Sequence, residues 1–369
     1  MKTDANILIV DLEKIRNNIK ILKNHTGKKL YAVVKADAYG LGAKEIARNI
    51  ESLVDGFCVA NINEAIELRQ AGISKEILIL GYICPENYPD IYKYDLSLTI
   101  YNYQIAEELN KLGHPIKVHI KIETGHNRLG FQNTEDHIEE IVKISKMENI
   151  HIVGIFTHLS TADEEDKSYT LKQEAIFAEV LRKLKSISDH IIKHISNDAA
   201  AIAYDFTGKY DAIRSGISMY GVYPSAYIKD SYKLNIEESF QLESRVSNVK
   251  FIEKGEGVSY GREYVADGHI KIATISIGYA DGYHRLISKQ GYVLINGQKA
   301  KILGRITMDQ MMVDVTGLDI KIHDKVVLIG KSGDLEISVD QVAQWAQTIS
   351  YEIMTSISAR VERLYINEE

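Results

Sequence analysis

Lys35 is the first residue of the chain whose surroundings favour covalent chemistry. It follows the apolar run 31–34, which contains β-branched residues without helical spacing and therefore predicts a buried strand. Burial lowers the pKa of a lysine, and a neutral amine can form a Schiff base. The residues that follow are small and leave room for a bulky group: Ala36, Ala38, Gly40 and Gly42. This stretch alone is equally consistent with a lysine whose side chain extends to solvent. It is not a Walker phosphate loop, because the Gly-Lys-Ser/Thr order is absent.

Polar side chains also mark the ends of four further strand-like runs. These clusters are 124–130, Thr157-His158, His194 with Asn197-Asp198, and Arg214 with Ser215-Gly216. A single histidine beside an apolar run is usually a satisfied core residue. Five polar strand ends favour a functional site, because the carboxyl ends of parallel barrel strands meet at one rim.

The elements that must position these side chains alternate between strand and helix. Helices are predicted over 11–24, 62–70, 103–111, 135–146 and 168–188. Strands are predicted over 30–36, 55–61, 77–82, 96–101, 117–123, 151–159, 190–197 and 211–217. Eight strand–helix units within about 220 residues favour a (β/α)8 barrel, and a doubly wound open sheet is the alternative.

The pattern changes after about Lys233. Strand-like runs dominate over 240–253, 270–278, 292–306, 311–315 and 325–330, with a hairpin signal at Asn296-Gly297. A helix is predicted over 339–347 and a last strand over 356–365. The sequence therefore predicts an α/β protein, with a TIM-like barrel domain over residues 1–233 and a mostly-β domain over residues 234–369.

Charge and composition narrow the class of protein. The net charge of −7 and the pI near 6.0 disfavour nucleic acid as a partner. Cys58 and Cys84 have no CxxC neighbour, which predicts reduced, buried thiols in a cytoplasmic protein. The apolar run 7–10 is too short for a signal peptide or a membrane span, so no membrane partner is expected.

Several of these motifs resemble those of bacterial alanine racemases, the fold type III pyridoxal-phosphate family. The resemblance runs nearly end to end and rests on 32–42, 121–130, His158, 213–221, Val258-Ser259-Tyr260-Gly261, 278–282, 304–310 and 356–360. It implies an N-terminal barrel, a C-terminal β domain, a head-to-tail homodimer with shared active sites, and pyridoxal 5'-phosphate as cofactor. The implied activity is interconversion of L- and D-alanine, which supplies D-alanine for peptidoglycan.

The resemblance assigns two bases to the reaction. Lys35 would hold the cofactor as a Schiff base, and its freed amine would then serve one face of the substrate Cα. Tyr260 of the other subunit would serve the opposite face, because a single base tends to return the proton to the side that it left. A tyrosine with a pKa near 10 needs neighbouring positive charge or hydrogen bonds for this role.

Further residues match the family's cofactor ring contacts. Arg214 corresponds to the arginine that faces the pyridine nitrogen. Because arginine keeps its proton, the ring nitrogen would stay unprotonated, which would suppress side reactions. His194 corresponds to a histidine that supports this arginine, and His158 to one that packs beside the ring.

The resemblance also implies a substrate site. Arg128 would support the substrate carboxylate, and Lys121 matches a lysine that is often carbamylated and then holds that arginine in place. Met308 would offer its backbone N–H to the same carboxylate, Asp309 would buttress the turn, and Tyr279 would line the site.

One departure from the family pattern lies at the expected phosphate site. The groups implied for the phosphate are the backbone N–H groups of Gly216 and Ile217 and the hydroxyls of Tyr39 and Tyr351. After the seventh strand the family usually has Asn-Ser-Ala, whereas this chain has Asn197-Asp198-Ala199. We expect Asp198 to cap the following helix while only its backbone N–H meets the phosphate, with weaker cofactor binding. Two smaller departures are His126, where the family often has methionine, and Thr307, where it often has cysteine.

Three alternatives remain beside an alanine racemase. A serine or broad-spectrum amino-acid racemase shares the fold, although the phenol of Tyr351 would crowd a hydroxymethyl group. Fold type III decarboxylases lack this arrangement of Val-Ser-Tyr-Gly and Met-Asp-Gln. Non-catalytic pyridoxal-phosphate-binding proteins usually consist of the barrel alone, so a β domain with Tyr260 disfavours them.

Overall fold

A computed structural model describes residues 5–206 and 208–368. The chain starts with strand β1 (Ile7–Asp11) and helix α1 (Leu12–Thr26). It forms two compact units. One contains Ile15–Ala38 and Ala43–Ile236, and the other contains residues 5–14, Tyr39–Gly42 and residues 237–368.

The first unit is a closed barrel of eight parallel strands. They are β2 (Lys29–Val33), β3 (Gly56–Val59), β4 (Ile77–Ile79), β5 (Ser97–Ile100), β6 (Ile116–Lys121), β7 (Ile150–Phe156), β8 (Ile192–Ser196) and β9 (Ala212–Ser215). Each strand pairs with the next, and β9 closes the barrel against β2 with Ala212 opposite Lys29. Strands β3, β4, β5 and β9 are buried along their whole length, as apolar runs without alternation predict. All eight predicted strands are confirmed, and the open-sheet alternative is wrong.

Helices follow the barrel strands. They are α2 (Ala43–Ile50), α3 (Ile62–Gln70), α4 (Tyr88–Lys93), α5 (Tyr103–Asn110), α6 (Glu135–Ile144), α7 (Ser168–Lys183), α8 (Lys185–Ser188), α9 (Asp198–Ala203) and α10 (Ala226–Ser231). Asn61, Asn102 and Thr134 begin α3, α5 and α6, because their side-chain oxygens accept an otherwise unpaired N–H of the first turn. The single helix predicted over 168–188 is wrong, since the backbone leaves helical geometry at Leu184.

The second unit is built on a nine-stranded sheet. Its further strands are β10 (Phe240–Ile252), β11 (Gly257–Val258), β12 (Tyr264–Val265), β13 (Ile270–Ile275), β14 (Tyr292–Ile295), β15 (Gln298–Leu303), β16 (Met311–Asp314), β17 (Lys325–Ser332), β18 (Leu335–Ile337) and β19 (Glu362–Ile366). The order is β18-β17-β14-β15-β16-β13-β10-β1-β19, and β11 and β12 form a separate pair. The predicted hairpin at Asn296-Gly297 is confirmed, with positive φ at both residues as a tight hairpin turn requires.

Two details of this region differ from the sequence-based expectation. Strand β1 lies in this sheet, antiparallel to β10 and parallel to β19, whereas the predicted barrel domain began at residue 1. The compact units divide after Ile236. The domain limits predicted at residues 233 and 234 stay a prediction. The strand predicted over 356–365 is shorter, because helices α11 (Val339–Ala346) and α12 (Ser350–Ser356) come first and β19 begins only at Glu362.

The cysteines are both free, and their environments differ. Cys58 is buried in β3 as expected. The expectation of a buried thiol is wrong for Cys84, which is exposed. In the part of the chain that the structure describes, no helix has the length and apolar character needed to cross a membrane.

Candidate active site

Lys35 stands just after β2, where the backbone turns sharply. Residues 36–38 have φ of 51–53° and ψ of 49–50°, a left-handed helical turn of non-glycine residues. Such backbone costs about 1–2 kcal/mol per residue, so its surroundings must hold it. Glu64 contributes to this, because its carboxylate accepts the N–H of Ala36 at 2.9 Å and that of Ala60 at 2.7 Å. The turn next to Lys35 is therefore held in one conformation by a side chain from helix α3.

The cationic side chains of the barrel influence one another. Burial lowers the pKa of the Lys35 amine, and the charge of Arg128 lowers it further. Burial, with the charges of Arg214 and Arg128, lowers the pKa of Lys121 to about 8. Burial lowers the pKa of Arg214 to about 10, so its guanidinium stays charged at neutral pH. The barrel thus combines amines that lose a proton readily with a fixed positive charge, which suits an anionic ligand.

The Arg214 guanidinium has one N–H left to donate. Its Nη1 donates to Nδ1 and to the carbonyl of His194 at 3.0 and 3.1 Å. Its Nη2 donates to the carbonyls of Thr157 at 2.8 Å and Ile195 at 3.3 Å, and to Nδ1 of His158 at 3.3 Å. Among the residues that the structure describes, none accepts a hydrogen bond from Nε. Arg214 can therefore donate from Nε to a ligand without giving up any of these bonds.

A chain of hydrogen bonds links Arg214 to Glu76 through two buried histidines. His194 accepts from Arg214 at Nδ1, so its own proton lies on Nε2, which is 2.9 Å from Nδ1 of His119. His119 therefore carries its proton on Nε2 and donates it to Glu76 Oε1 at 3.1 Å. Because a guanidinium can only donate, Arg214 determines the tautomer of both rings. The negative end of this chain is the Glu76 carboxylate.

Sequence reasoning missed Glu76 and His119. His119 lies two residues before Lys121 in β6, on the same face of the strand, and this spacing was an available signal. Glu76 directly precedes β4 and has no comparable signal. The His194 ring also stacks with the rings of Tyr31 and Phe156, whose centroids lie 5.7 and 4.8 Å away. These contacts leave His194 little freedom to move.

The surroundings of His158 determine its charge, and the side chain of Asn197 caps a helix. Burial and the charge of Arg214 hold the pKa of His158 well below its usual value, so its ring is neutral. The ring of His126 lies 5.5 Å from that of His158, and within the described part of the chain the buried His126 Nδ1 has no hydrogen-bond partner. The side-chain oxygen of Asn197 accepts the N–H of Ala200 at 3.0 Å and so caps α9.

The expectation that Asp198 caps α9 is wrong, since Asn197 does so. The Asp198 side chain instead accepts hydrogen bonds from the segment after β9. Its Oδ1 accepts from Ser215 Oγ at 2.5 Å, and its Oδ2 accepts from the N–H groups of Gly216 at 2.9 Å and Ser218 at 3.3 Å. Burial raises the pKa of this carboxyl, and these hydrogen bonds together with that of the Ile217 N–H oppose the shift. The Asp198 carboxylate thus accepts hydrogen bonds from the segment whose N–H groups were predicted to bind the phosphate.

Lys121 and Arg128, for which the resemblance implies a role at the substrate carboxylate, both belong to the barrel unit. Lys121 is buried at the end of β6, with Nζ 5.5 Å from the centroid of the Phe156 ring. Arg128 is exposed, and its backbone N–H donates to Glu123 Oε2 at 3.2 Å. As two cations they repel each other, so a bond between them requires Lys121 to become an anion. Carbamylation, the modification that the resemblance implies, would do this.

The remaining predicted residues belong to the other unit. Tyr39 and Tyr351 are neighbours there, with ring centroids 5.9 Å apart. Tyr260 follows Ser259, whose Oγ donates to the carbonyl of Arg305 at 2.7 Å, and 72% of Tyr260 is exposed. A tyrosine exposed to this extent on a well-held turn is available to contact another molecule.

Tyr279 and Met308 are held together by their backbones. The N–H of Tyr279 donates to the carbonyl of Thr307 at 3.0 Å, and a Cβ at Gly278 would lie 2.3 Å from the carbonyl oxygens of Thr307 and Met308. Asp309 Oδ1 accepts from Arg360 at 2.9 Å. Asp309 therefore connects this turn to the segment before β19.

The barrel residues fit the cofactor that the resemblance implies in all respects but one. Lys35 supplies an amine with a lowered pKa, and the Nε of Arg214 supplies a donor for a ring nitrogen. The surrounding positive charge suits a phosphate. The exception is Asp198, because its carboxylate accepts the N–H groups that a phosphate would use.

Two family models match the chain. The model described as "Alanine racemase, N-terminal domain" matches residues 10–224, and that described as "Alanine racemase, C-terminal domain" matches residues 239–365. Together they span both units of the fold.

Individual relatives are similar over their full length. The alanine racemase of Clostridium perfringens is 42% identical over 366 residues, 96% of this chain and 94% of that protein. The alanine racemase of Clostridium difficile superposes with a TM-score of 0.92 at 40% identity, covering 99% of this chain and 97% of the other. The alanine racemase of Bacillus anthracis, solved with bound L-Ala-P, superposes with a TM-score of 0.92 at 35% identity, covering 100% of this chain and 96% of the other. The chain therefore belongs to the alanine racemase family of isomerases.

Proposed function

We propose that this protein interconverts L- and D-alanine with pyridoxal 5'-phosphate as its cofactor. The observation that carries the proposal is the state of Arg214, which uses both terminal nitrogens within the protein and keeps Nε for a ligand. The lowered pKa of Lys35 in the same barrel supports it. An amine that loses its proton readily and a guanidinium that does not are the two groups that this chemistry needs.

Bound pyridoxal phosphate supplies an electron-withdrawing ring that acidifies the Cα proton of an attached amino acid. The protein's own groups determine where that proton goes. Lys35 holds the cofactor and then accepts or returns a proton at the substrate Cα through Nζ. Arg214 donates from Nε but keeps its proton, because its pKa of about 10 is well above neutral pH. Charge withdrawal is thereby limited, which favours return of the proton over other reactions.

The second base in this proposal is the hydroxyl of the partner subunit's Tyr260. Its support is the exposure of Tyr260, Tyr279 and Met308, at 72%, 43% and 53%, which a second copy of the chain would cover. A head-to-tail homodimer would bring these residues to the barrel of the other subunit. Two bases on opposite faces explain racemisation, since one removes the Cα proton from its own face and the other delivers a proton to the opposite face.

Substrate binding in the proposal uses Arg128, Lys121 and the turn at Met308. A carbamate on Lys121 would bind Arg128, whose guanidinium then faces the substrate carboxylate. The N–H of Met308 would donate to the same carboxylate, with Asp309 stabilising the turn through Arg360. Tyr279 would line the site, and Tyr39 and Tyr351 would donate to the phosphate. The biological role would be supply of D-alanine for peptidoglycan in the cytoplasm.

The test of the activity is racemisation of L-alanine, followed by circular dichroism, in the parent protein and in Lys35→Ala and Tyr260→Phe. We expect both variants to lose the activity. Full activity of Tyr260→Phe would disprove the two-base mechanism, and a parent protein that develops no visible absorbance with pyridoxal phosphate would disprove the cofactor.

A mixing experiment tests the shared site. If Lys35 and Tyr260 act from different subunits, a heterodimer of Lys35→Ala with Tyr260→Phe contains one intact site. Equal amounts that exchange subunits freely should then recover about a quarter of the parent activity, because half of the dimers are mixed and each has one working site. No recovery, once native mass spectrometry has shown mixed dimers, would mean that both bases come from one chain.

One observation favours racemisation of serine as a second candidate. The buried Nδ1 of His126 has no hydrogen-bond partner within the described part of the chain, and His126 lies beside His158. A substrate hydroxyl could satisfy this nitrogen. Equal kcat/KM for L-serine and L-alanine, with selective loss of the serine activity in His126→Met, would favour a broader racemase.

A further inference from the structure

The segment after β9 binds an anion that belongs to the chain itself. The N–H groups of Gly216 and Ser218 donate to Asp198 Oδ2 at 2.9 and 3.3 Å, and the N–H of Ile217 between them helps to lower the pKa of this carboxyl against the effect of burial. The Ser215 hydroxyl donates to Oδ1 at 2.5 Å. Only 6% of Asp198 is exposed. Consecutive N–H groups that converge on one anion form a nest, and this nest is filled by a carboxylate.

Helix capping does not explain the position of this carboxylate. Asn197 caps α9 through Ala200, so α9 does not need the Asp198 side chain. Burial of a carboxylate without a cation is unfavourable, and no hydrogen bond or ion pair joins Asp198 to a lysine or arginine of the described chain. The hydrogen bonds from Ser215, Gly216 and Ser218 are therefore the main interactions that offset the cost of burying it.

The family resemblance assigns the N–H groups of Gly216 and Ile217 in this segment to the cofactor phosphate, and this inference rests on the proposed function with that cofactor. A phosphate bound at these N–H groups would lie beside the Asp198 carboxylate, and two neighbouring anions in a buried site repel each other strongly. An N–H of this kind also points at one acceptor at a time. The two anions therefore cannot share the nest as it stands.

We propose that Asp198 competes with the cofactor phosphate for the N–H groups of Gly216 and Ile217 and so sets how strongly the protein prefers phosphorylated pyridoxal over pyridoxal. The Asp198 carboxylate would give up these N–H groups when the phosphate binds. Asp198 is thus a specificity-determining residue for the cofactor, and its carboxylate weakens retention of the phosphorylated form.

The test compares the affinities of cofactor-free protein for pyridoxal phosphate and for pyridoxal, measured from absorbance. For Asp198→Ser we expect a Kd for pyridoxal phosphate at least about tenfold lower than for the parent, because about 1.4 kcal/mol of repulsion is worth a factor of ten. The Kd for pyridoxal should change less than about twofold. Asp198→Asn keeps the size of the side chain, removes its charge and should also bind pyridoxal phosphate more tightly. Asp211→Asn, which removes a carboxylate at the opposite end of β9, is the matched control and should bind like the parent.

Thermal unfolding gives a readout that is independent of affinity. Without cofactor, Asp198→Ser should melt at a lower temperature than the parent, because its nest loses an acceptor. With saturating pyridoxal phosphate, the rise in melting temperature should be larger for the variant than for the parent. Binding that is unchanged or weaker in both Asp198 variants would overturn the competition. Absence of visible absorbance in the parent and all variants would instead disprove the proposed cofactor, so the two failures are distinguishable.

Discussion

Replacement of Glu76 by glutamine tests the hydrogen-bond chain that ends at Arg214. Glu76 Oε1 accepts from Ser97 Oγ at 2.6 Å and from His119 Nε2 at 3.1 Å, and Oε2 accepts from Tyr31 Oη at 2.7 Å. Burial alone would raise the pKa of Glu76, but the hydrogen bonds from His119, Ser97 and Tyr31 outweigh it and hold the pKa at about 2.

The pKa gives the size and sign of the effect. A fall from 4.5 to about 2 corresponds to about 3 kcal/mol of stability, at about 1.4 kcal/mol per pH unit. Because the pKa is lower in the folded state, this stability is fully present above pH 4.5 and is lost as the pH falls through about 2. Glutamine keeps the shape of the side chain but loses its charge. Its amide NH2 is a donor, so it would face the hydroxyl of Tyr31 or Ser97, which also donates at this position.

Urea unfolding at pH 7 and at pH 3 measures this effect. We expect Glu76→Gln to lose up to about 3 kcal/mol at pH 7 and clearly less at pH 3, where the parent has lost part of its own advantage. Glu139→Gln, on the exposed face of α6, should lose nothing at either pH. A Glu76→Gln protein as stable as the parent at pH 7, or a deficit that does not shrink on acidification, would refute the role given to the Glu76 charge.

Two other substitutions test separate parts of the structure. Gly278→Ala places a Cβ 2.3 Å from the carbonyl oxygens of Thr307 and Met308, so we expect a loss of about 2 kcal/mol or more in thermal unfolding. Gly268→Ala should be neutral, because apart from the adjacent residues of the chain no atom lies within 4 Å of the added Cβ. The Lys121 pKa of about 8 leaves about a tenth of the amine neutral at pH 7. Carbon-13 NMR with labelled bicarbonate should therefore show a carbamate signal that grows from pH 6 to 8 and is missing in Lys121→Met. A parent protein without this signal would contradict carbamylation.

The sequence by itself determined the barrel and the rim of polar residues. Apolar runs of strand length and amphipathic runs of helix length are local patterns, and these patterns predicted all eight barrel strands, the hairpin at Asn296-Gly297 and most helices. The positions of Lys35, Arg214 and His194 at or near strand ends then followed, because the carboxyl ends of barrel strands share one rim.

Only the tertiary structure decided which of these groups bind to one another. Glu76 and His119 are linked to Arg214 across the barrel, and no local pattern records bonds between residues so far apart in sequence. Strand β1 is a short apolar run in the sequence, but its partners β10 and β19 lie more than 200 residues further along the chain. The sequence suggested a helix cap for Asp198, but Asn197 caps the helix and the Asp198 carboxylate accepts hydrogen bonds from a segment 17 to 20 residues further along the chain. Side-chain partners of this kind are selected by the whole fold, since each polar group takes the partner that its buried surroundings leave open.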